Sequence, residues 1–192
     1  SVCQQLKKWL DKGLEPVKVS INFSKLHFEK DDVALRIMHI INKWEIPHSL
    51  IEIEFTETAY TDKEEKLKNT LDMLKKGGIS TSIDDFGSGF SSLNVLSDIP
   101  ADVLKLDRIF FKVDSNNDIR NKQIIASVIS LAKKLDMKVV AEGIETIEQA
   151  NFLQEIKCDI IQGFIYSKPL PVIDFEKFLD SWDTEIVTGE KA

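Results

Sequence analysis

The sequence contains few residues of the kinds that form zinc sites or disulfide frameworks. Two of its 192 residues are cysteines, and the spacing of Cys3 and Cys158 matches no metal-binding pattern. We therefore expect both to be reduced thiols of a cytosolic protein. The three histidines, His27, His39 and His48, do not follow predicted strands, so no histidine ligand for zinc or iron is expected at a strand end.

Positive charge is scarce as well. The chain has 25 lysines and arginines against 32 aspartates and glutamates, which gives a net charge of -7. Such a surface does not attract polyanions, so we expect no nucleic-acid polymer as a partner. A phosphate ester could still bind if metal ions reversed the local charge. No hydrophobic run reaches the length of a membrane-spanning helix.

Strand-like and helix-like segments alternate along the chain. Six strands are predicted at 17–24, 50–57, 79–85, 101–107 and 138–144 and within 159–171. Helices are predicted near 31–44, after a capping box of Thr61 and Glu64, at 117–136, after a capping box of Thr146 and Gln149, and at 173–182. Strands that alternate with helices indicate crossover connections and a parallel sheet.

Apolar residues at helical spacing predict which helix faces are buried. In the first of these helices the inward-facing residues are expected to be Leu35, Met38 and Ile41, with Ile37 and Trp44 as further candidates. In the next they are Leu67, Leu71 and Leu74, in the long one Ile124, Val128, Leu131 and Leu135, and in the one after it Ala150 and Leu153, with Ile156 as a further candidate.

Every predicted strand ends in a polar or ionisable side chain. These residues are Asn22, Glu54, the adjacent Asp84 and Asp85, Lys105, Glu142 and Gln162. One such residue is usually a helix cap or part of a solvated loop, but in a (β/α) barrel all strand ends converge on one mouth, where active sites lie. An α/β fold of the TIM-barrel type therefore explains all of them together. A doubly wound open sheet is the alternative, although it gathers strand ends only around its switch point.

Six strands are fewer than the eight of a complete barrel. The first residues, SVCQQLKKWLDKG, have the pattern of a helix interior, so we expect the first two strands upstream of residue 1. The expected domain covers 1–183, followed by a flexible tail at 184–192.

Clustered carboxylates at the barrel mouth would repel one another unless cations lay between them. Their oxygen ligands suit Mg²⁺ or Mn²⁺, and a two-metal site assists attack of water on a phosphodiester. Asp84 and Asp85 could serve two ions if the strand ended between them and the loop of Gly87 and Gly89 turned both inward. Lys105 would orient the water, offset phosphate charge, or pair with the carboxylates. A Schiff-base lysine is less favoured, because neighbouring carboxylates raise a lysine pKa.

Several stretches, in order along nearly the whole chain, resemble the EAL domain, the bacterial phosphodiesterase of cyclic di-GMP. They are VSINFS, EFTET, IDDFGSGFSSL, LKLD, VVAEGIET and QGFIYSKPL. The resemblance implies an eight-stranded barrel that hydrolyses cyclic di-GMP to linear pGpG with two Mg²⁺ or Mn²⁺ ions. It implies metal ligands at Asn22, Glu54, Asp84, Asp85 and Glu142 and places Lys105, Gln162 and Glu142 at the chemistry. It also implies that Glu145 supports the loop after the paired aspartates and that Glu57 is structural.

The Glu-Ala-Leu signature that names this family is absent from the sequence, and its glutamate would lie upstream of residue 1. We favour an incompletely represented active enzyme, because every other motif position is filled. The alternative is a catalytically inactive receptor for cyclic di-GMP or a signalling interaction module. The resemblance further implies a bacterial cytoplasmic location, a homodimer, and a neighbouring GGDEF, PAS or membrane-sensor domain in the full-length protein.

Overall fold

The computed structural model describes residues 1–24, 27, 32–56, 64–88, 93–112 and 118–181. Helices and strands alternate along them. The helices are α1 (Val2–Asp11), α2 (Val33–Lys43), α3 (Glu64–Lys76), α4 (Leu93–Asp98), α5 (Asp118–Lys134), α6 (Ile147–Glu155) and α7 (Val172–Ser181). The strands are β1 (Val19–Asn22), β2 (Ile51–Thr56), β3 (Ser80–Phe86), β4 (Val103–Leu106), β5 (Lys138–Ala141) and β6 (Ile160–Ile161). Short 3₁₀ turns cover His48–Leu50 and Arg108–Phe111.

The six strands form one parallel sheet in the order of the sequence, from β1 to β6. A doubly wound sheet would reverse its strand order at a switch point, and this sheet does not. The α/β prediction is therefore confirmed, and the six strands form an arc of a (β/α) barrel. Within the described residues β1 and β6 are the edges of the sheet. None of the described helices is both long enough and apolar enough to cross a bilayer.

The core lies between the outer face of the sheet and the helices. Ile51, Ile53 and Phe55 of β2 are each 1% exposed or less. The predicted inward face of α3 is confirmed, since Leu67, Leu71 and Leu74 are all buried. The same holds for Ala150 and Leu153 of α6, and the capping box of Thr146 and Gln149 is present at the start of that helix.

The predicted inward face of α5 is correct only in part. Val128 and Leu131 are half-buried and pack against the core, whereas Ile124 and Leu135 are 44% and 42% exposed. The buried stripe is instead formed by Ile125, Ile129 and Ala132. Both stripes satisfy the spacing of an amphipathic helix, so periodicity could not choose between them. A similar error concerns Leu35 of α2, which is 57% exposed, whereas Ile37 and Ile41 are buried.

Other predictions differ from the structure in their limits or lie outside the described residues. The strands are shorter than predicted at most ends, and β5 ends at Ala141, one residue before Glu142. Helix α4 was not predicted, because its six residues are too few to show a helical period. The capping residue Thr61 and the tail at 184–192 lie outside the described residues.

Candidate metal and active site

A buried lysine lies at the centre of the carboxyl ends of the strands. Nζ of Lys105 in β4 lies 2.6 Å from Oε1 of Glu54, 2.7 Å from Oε1 of Glu142 and 3.0 Å from Oδ1 of Asp84. Lys105 is 7% exposed, and Glu54 and Asp84 are 5% and 8% exposed. Three carboxylates from β2, β3 and the end of β5 thus share one ammonium group. The curvature of the sheet brings these separate strand ends together.

The adjacent aspartates reach this cluster through a β-bulge. Ile83 of β3 pairs with Leu104 of β4, and Phe86 pairs with Leu106, so both aspartates lie opposite the single residue Lys105. Asp85 has a φ of 54°, in the left-handed region that aspartate tolerates better than most residues. The expectation that the strand ends between the two aspartates is wrong. The strand continues to Phe86, and the turn occurs at Asp85 itself.

The side-chain oxygens of this region lie close enough together to hold a cation. Asp84, Asp85 and Glu142 each offer an oxygen within 4.8 Å of the others. The Asn22 amide lies 3.3 Å from Oε2 of Glu54 and from Oδ2 of Asp84, and with its nitrogen toward them it donates to both. In the other orientation the amide oxygen of Asn22 faces the carboxylate oxygens of Glu54 and Asp84, so that three oxygens lie together. This all-oxygen donor set fits Mg²⁺ or Mn²⁺.

Burial and crowding perturb the titration of the cluster. Burial raises the pKa of Glu142, and the ammonium of Lys105 offsets only part of this rise. The pKa of Asp85 is also raised, by burial, by the charge of Asp84 and then by Asp107. Burial alone would lower the pKa of Lys105, but its bonds to Glu142, Glu54 and Asp84 outweigh burial and raise it. The site therefore holds a protonated lysine near two carboxyl groups, Asp85 and Glu142, whose raised pKa values mean that their charged forms are disfavoured.

Two of the predicted site residues, Gln162 and Glu145, have exposed side chains. Gln162 follows β6 directly, and its backbone bonds to Ala141 and Ile144 while its side chain is exposed. Glu145 is exposed too, and its backbone N–H donates to Oε1 of Gln149 at 2.9 Å. Glu57 and residues 89–92 lie outside the described residues, so the predicted support of that loop by Glu145 stays a prediction.

Sequence reasoning missed one carboxylate of the site, Asp107. Burial, then the charge of Asp84, then the charge of Asp107 raise the pKa of the Asp85 carboxyl group, and the Asp107 carboxylate accepts from the backbone N–H of Ile109 at 2.7 Å. The signal was available in the motif LKLD. Residues two apart on a strand point to the same face, so Asp107 follows Lys105 toward the site.

Comparisons with known proteins agree with this arrangement. The family model described as EAL domain matches residues 1–169. The chain is 38% identical over 177 residues to the signaling protein YkoW of Bacillus subtilis, covering 92% of this chain and 22% of that protein. It is 35% identical over 180 residues to the cyclic di-GMP phosphodiesterase NbdA of Pseudomonas aeruginosa, covering 94% and 23%. The chain thus spans less than a quarter of the length of these relatives.

Solved structures show the same fold. The EAL domain of Mycobacterium smegmatis DcpA has a TM-score of 0.85 at 30% identity, over 93% of this chain and 80% of that one. The manganese and cyclic di-GMP complex of Klebsiella pneumoniae BlrP1 has a TM-score of 0.75 at 28% identity, over 88% and 43%.

Proposed function

The chain belongs to the EAL domain family, and we propose that it is the phosphodiesterase part of a bacterial signalling protein. In this proposal it hydrolyses cyclic di-GMP to linear pGpG with two divalent cations, Mg²⁺ or Mn²⁺. The observation that carries the proposal is the convergence of Glu54, Asp84 and Glu142 on Lys105, with Asn22 and Asp85 beside them. Relatives support the substrate, since NbdA is named a cyclic di-GMP phosphodiesterase and BlrP1 was solved with this dinucleotide.

The proposed ligands of the two cations are the oxygen-bearing side chains of the cluster. They are Asn22, Glu54, Asp84, Asp85 and Glu142. When bound, such ions lower the pKa of a coordinated water and neutralise charge on a phosphodiester. Burial first, and then neighbouring carboxylates, raise the pKa values of Asp85 and Glu142, and bound divalent cations would favour the charged forms of both groups. The manganese in the BlrP1 complex supports the same type of ion.

The remaining residues act in the proposal through charge, proton transfer and orientation. Lys105 keeps its proton, because its carboxylate partners raise its pKa, and it offsets negative charge on a bound phosphate. Glu142, whose Oε1 lies 2.7 Å from Nζ of Lys105, is also proposed to take a proton from the water. Gln162 lies at the exposed mouth, where its amide can orient the water or a phosphate oxygen. Glu145 and Glu57 are proposed to support the loops around the site.

The biological setting is proposed from the same family. We expect a cytoplasmic location, a homodimer, and a GGDEF, PAS or membrane-sensor domain elsewhere in the full-length protein. The names of relatives support further domains, since MucR is called a bifunctional diguanylate cyclase and phosphodiesterase and DosP an oxygen sensor protein. This chain spans 24% and 22% of those two proteins, which leaves room for such domains.

The test uses the protein at its natural full length. Cyclic di-GMP is added with Mg²⁺ or Mn²⁺, or with excess chelator, and pGpG is measured by chromatography while binding is measured by calorimetry. We expect pGpG only in the presence of metal. Turnover that survives complete metal removal would contradict the two-metal site. Tight binding with no pGpG under any metal would instead identify the receptor alternative.

A further inference from the structure

A short 3₁₀ segment, Arg108–Phe111, lies between two loops of the site. On one side the ring of Phe110 lies against Gly87, so closely that any side chain at Gly87 would overlap it. On the other side Cβ of Arg108 lies 2.5 Å from where a Cβ of Gly143 would be placed. Gly87 follows the paired aspartates, and Gly143 follows Glu142. We call this segment the wedge, because it lies between the loop that follows the paired aspartates and the loop that follows Glu142.

Gln149 connects the wedge to the loop after β5. Its Oε1 accepts from the backbone N–H groups of Glu145 and Thr146 at 2.9 and 3.1 Å, which completes the capping box of α6. Its Nε2 donates to the backbone carbonyl oxygen of Phe111 at 2.9 Å. The first two bonds serve the helix, and a glutamate would make them equally well. The third bond joins α6 to the wedge and needs the N–H donor of an amide. Capping the helix does not account for it, so Gln149 has a second role.

The wedge also touches the bulge of β3. The backbone N–H of Asp107, the residue before it, donates to the carbonyl oxygen of Phe86 at 3.2 Å. From the opposite side Nδ2 of Asn121 in α5 donates to the carbonyl oxygen of Phe110. The wedge is thus fixed by α6 through Gln149 and by α5 through Asn121. Because neither glycine contact leaves free space, a displacement of the wedge must move at least one of the loops it separates.

We infer that Gln149 is a positioning residue, which sets the separation between Glu142 and the paired aspartates by holding the wedge in place. The inference rests on the proposed function in one respect, since it treats these three carboxylates as the ligands of divalent cations. Gln149 touches neither substrate nor metal and acts only through Phe111 and the loop at Glu145. Residues that orient metal ligands in this indirect way typically contribute 10- to 100-fold to metal affinity.

The decisive variant is Gln149→Glu in the full-length protein, because it keeps the two capping bonds and removes the bond to Phe111. Gln154→Glu is the matched control: it adds the same charge at an exposed position of the same helix. Calorimetry with Mn²⁺ alone measures the affinity of the site, and thermal unfolding without metal measures the fold. We expect Gln149→Glu to bind Mn²⁺ about tenfold more weakly than the control, with a similar unfolding temperature. Hydrogen exchange should increase at residues 107–112 and 142–146.

A second variant keeps the test decisive if Gln149→Glu fails to fold. Asn121→Asp removes the donor to Phe110 from the other side of the wedge and leaves the cap of α6 intact. It should weaken Mn²⁺ binding in the same direction. Mn²⁺ affinity equal to that of the control in the folded variants would overturn the inference. Failure of the wild-type protein to bind Mn²⁺ at all would instead refute the proposed function.

Discussion

Replacing Lys105 with methionine should strongly destabilise the metal-free protein. Lys105 is the shared partner of three carboxylates and is 7% exposed. Methionine has a similar length and no charge, so the variant leaves Glu54, Asp84 and Glu142 facing one another without a counter-ion. Buried like charges of this kind raise one another's pKa and lower the free energy of unfolding.

The size of the effect follows from the distances. At an effective dielectric constant near 20, each contact of about 2.6 to 3.0 Å contributes roughly 6 kcal/mol of Coulomb attraction. The cost of removing these groups from water offsets most of that attraction. Removal of one partner from a buried ion pair typically costs about 3–5 kcal/mol, and we expect a loss of that size here.

Divalent cations should reverse much of this loss. A site occupied at about 100 times its dissociation constant gains about 2.7 kcal/mol. The variant should also bind Mn²⁺ more tightly than the wild type, because no ammonium then competes for the carboxylates, while its turnover should fall.

The assay is urea unfolding of the full-length protein, with chelator and with Mn²⁺, compared with Lys134→Met at an exposed position. A loss below about 1 kcal/mol without metal, the value of an exposed ion pair, would refute the counter-ion role.

Three other expectations concern the same site. Asp84→Asn and Glu54→Gln should abolish pGpG formation but leave the metal-free melting temperature nearly unchanged, and near-normal turnover in either would count against its assignment as a ligand. Because the pKa of Glu142 is raised on folding, its charged form opposes folding, so its contribution to stability falls as pH rises from the usual carboxyl range through that raised value. The metal-free stability of Glu142→Gln relative to wild type should therefore increase over pH 4–8, and a flat difference would contradict the raised pKa. Glu145→Ala should reduce turnover and increase hydrogen exchange in the loop after the paired aspartates; lost activity with unchanged exchange would assign Glu145 to the chemistry instead.

The sequence by itself determined the features that depend on neighbours along the chain. Alternating segments located the six strands of the described residues, and four polar residues at or just after their ends, Glu54, Asp84, Lys105 and Glu142, are in contact in the structure. The buried face of α3 was correct because Leu67, Leu71 and Leu74 are the only apolar stripe on that helix that matches its period. The capping box of Thr146 and Gln149 was correct because it involves residues three apart.

Only the tertiary structure decided the features that depend on distant partners. The bulge at Asp85 exists through the register between β3 and β4, whose paired residues are about 20 positions apart in sequence. Helix α5 presents Ile125 and Ile129 to the core because the sheet selects one of two equally periodic stripes. From the sequence, Gln149 is predicted only to cap α6. The bond from its amide to Phe111, 38 residues away, forms only when β4 and β5 lie side by side. Local patterns record backbone propensity and burial, whereas register and long-range hydrogen bonds arise from the packing of the whole sheet.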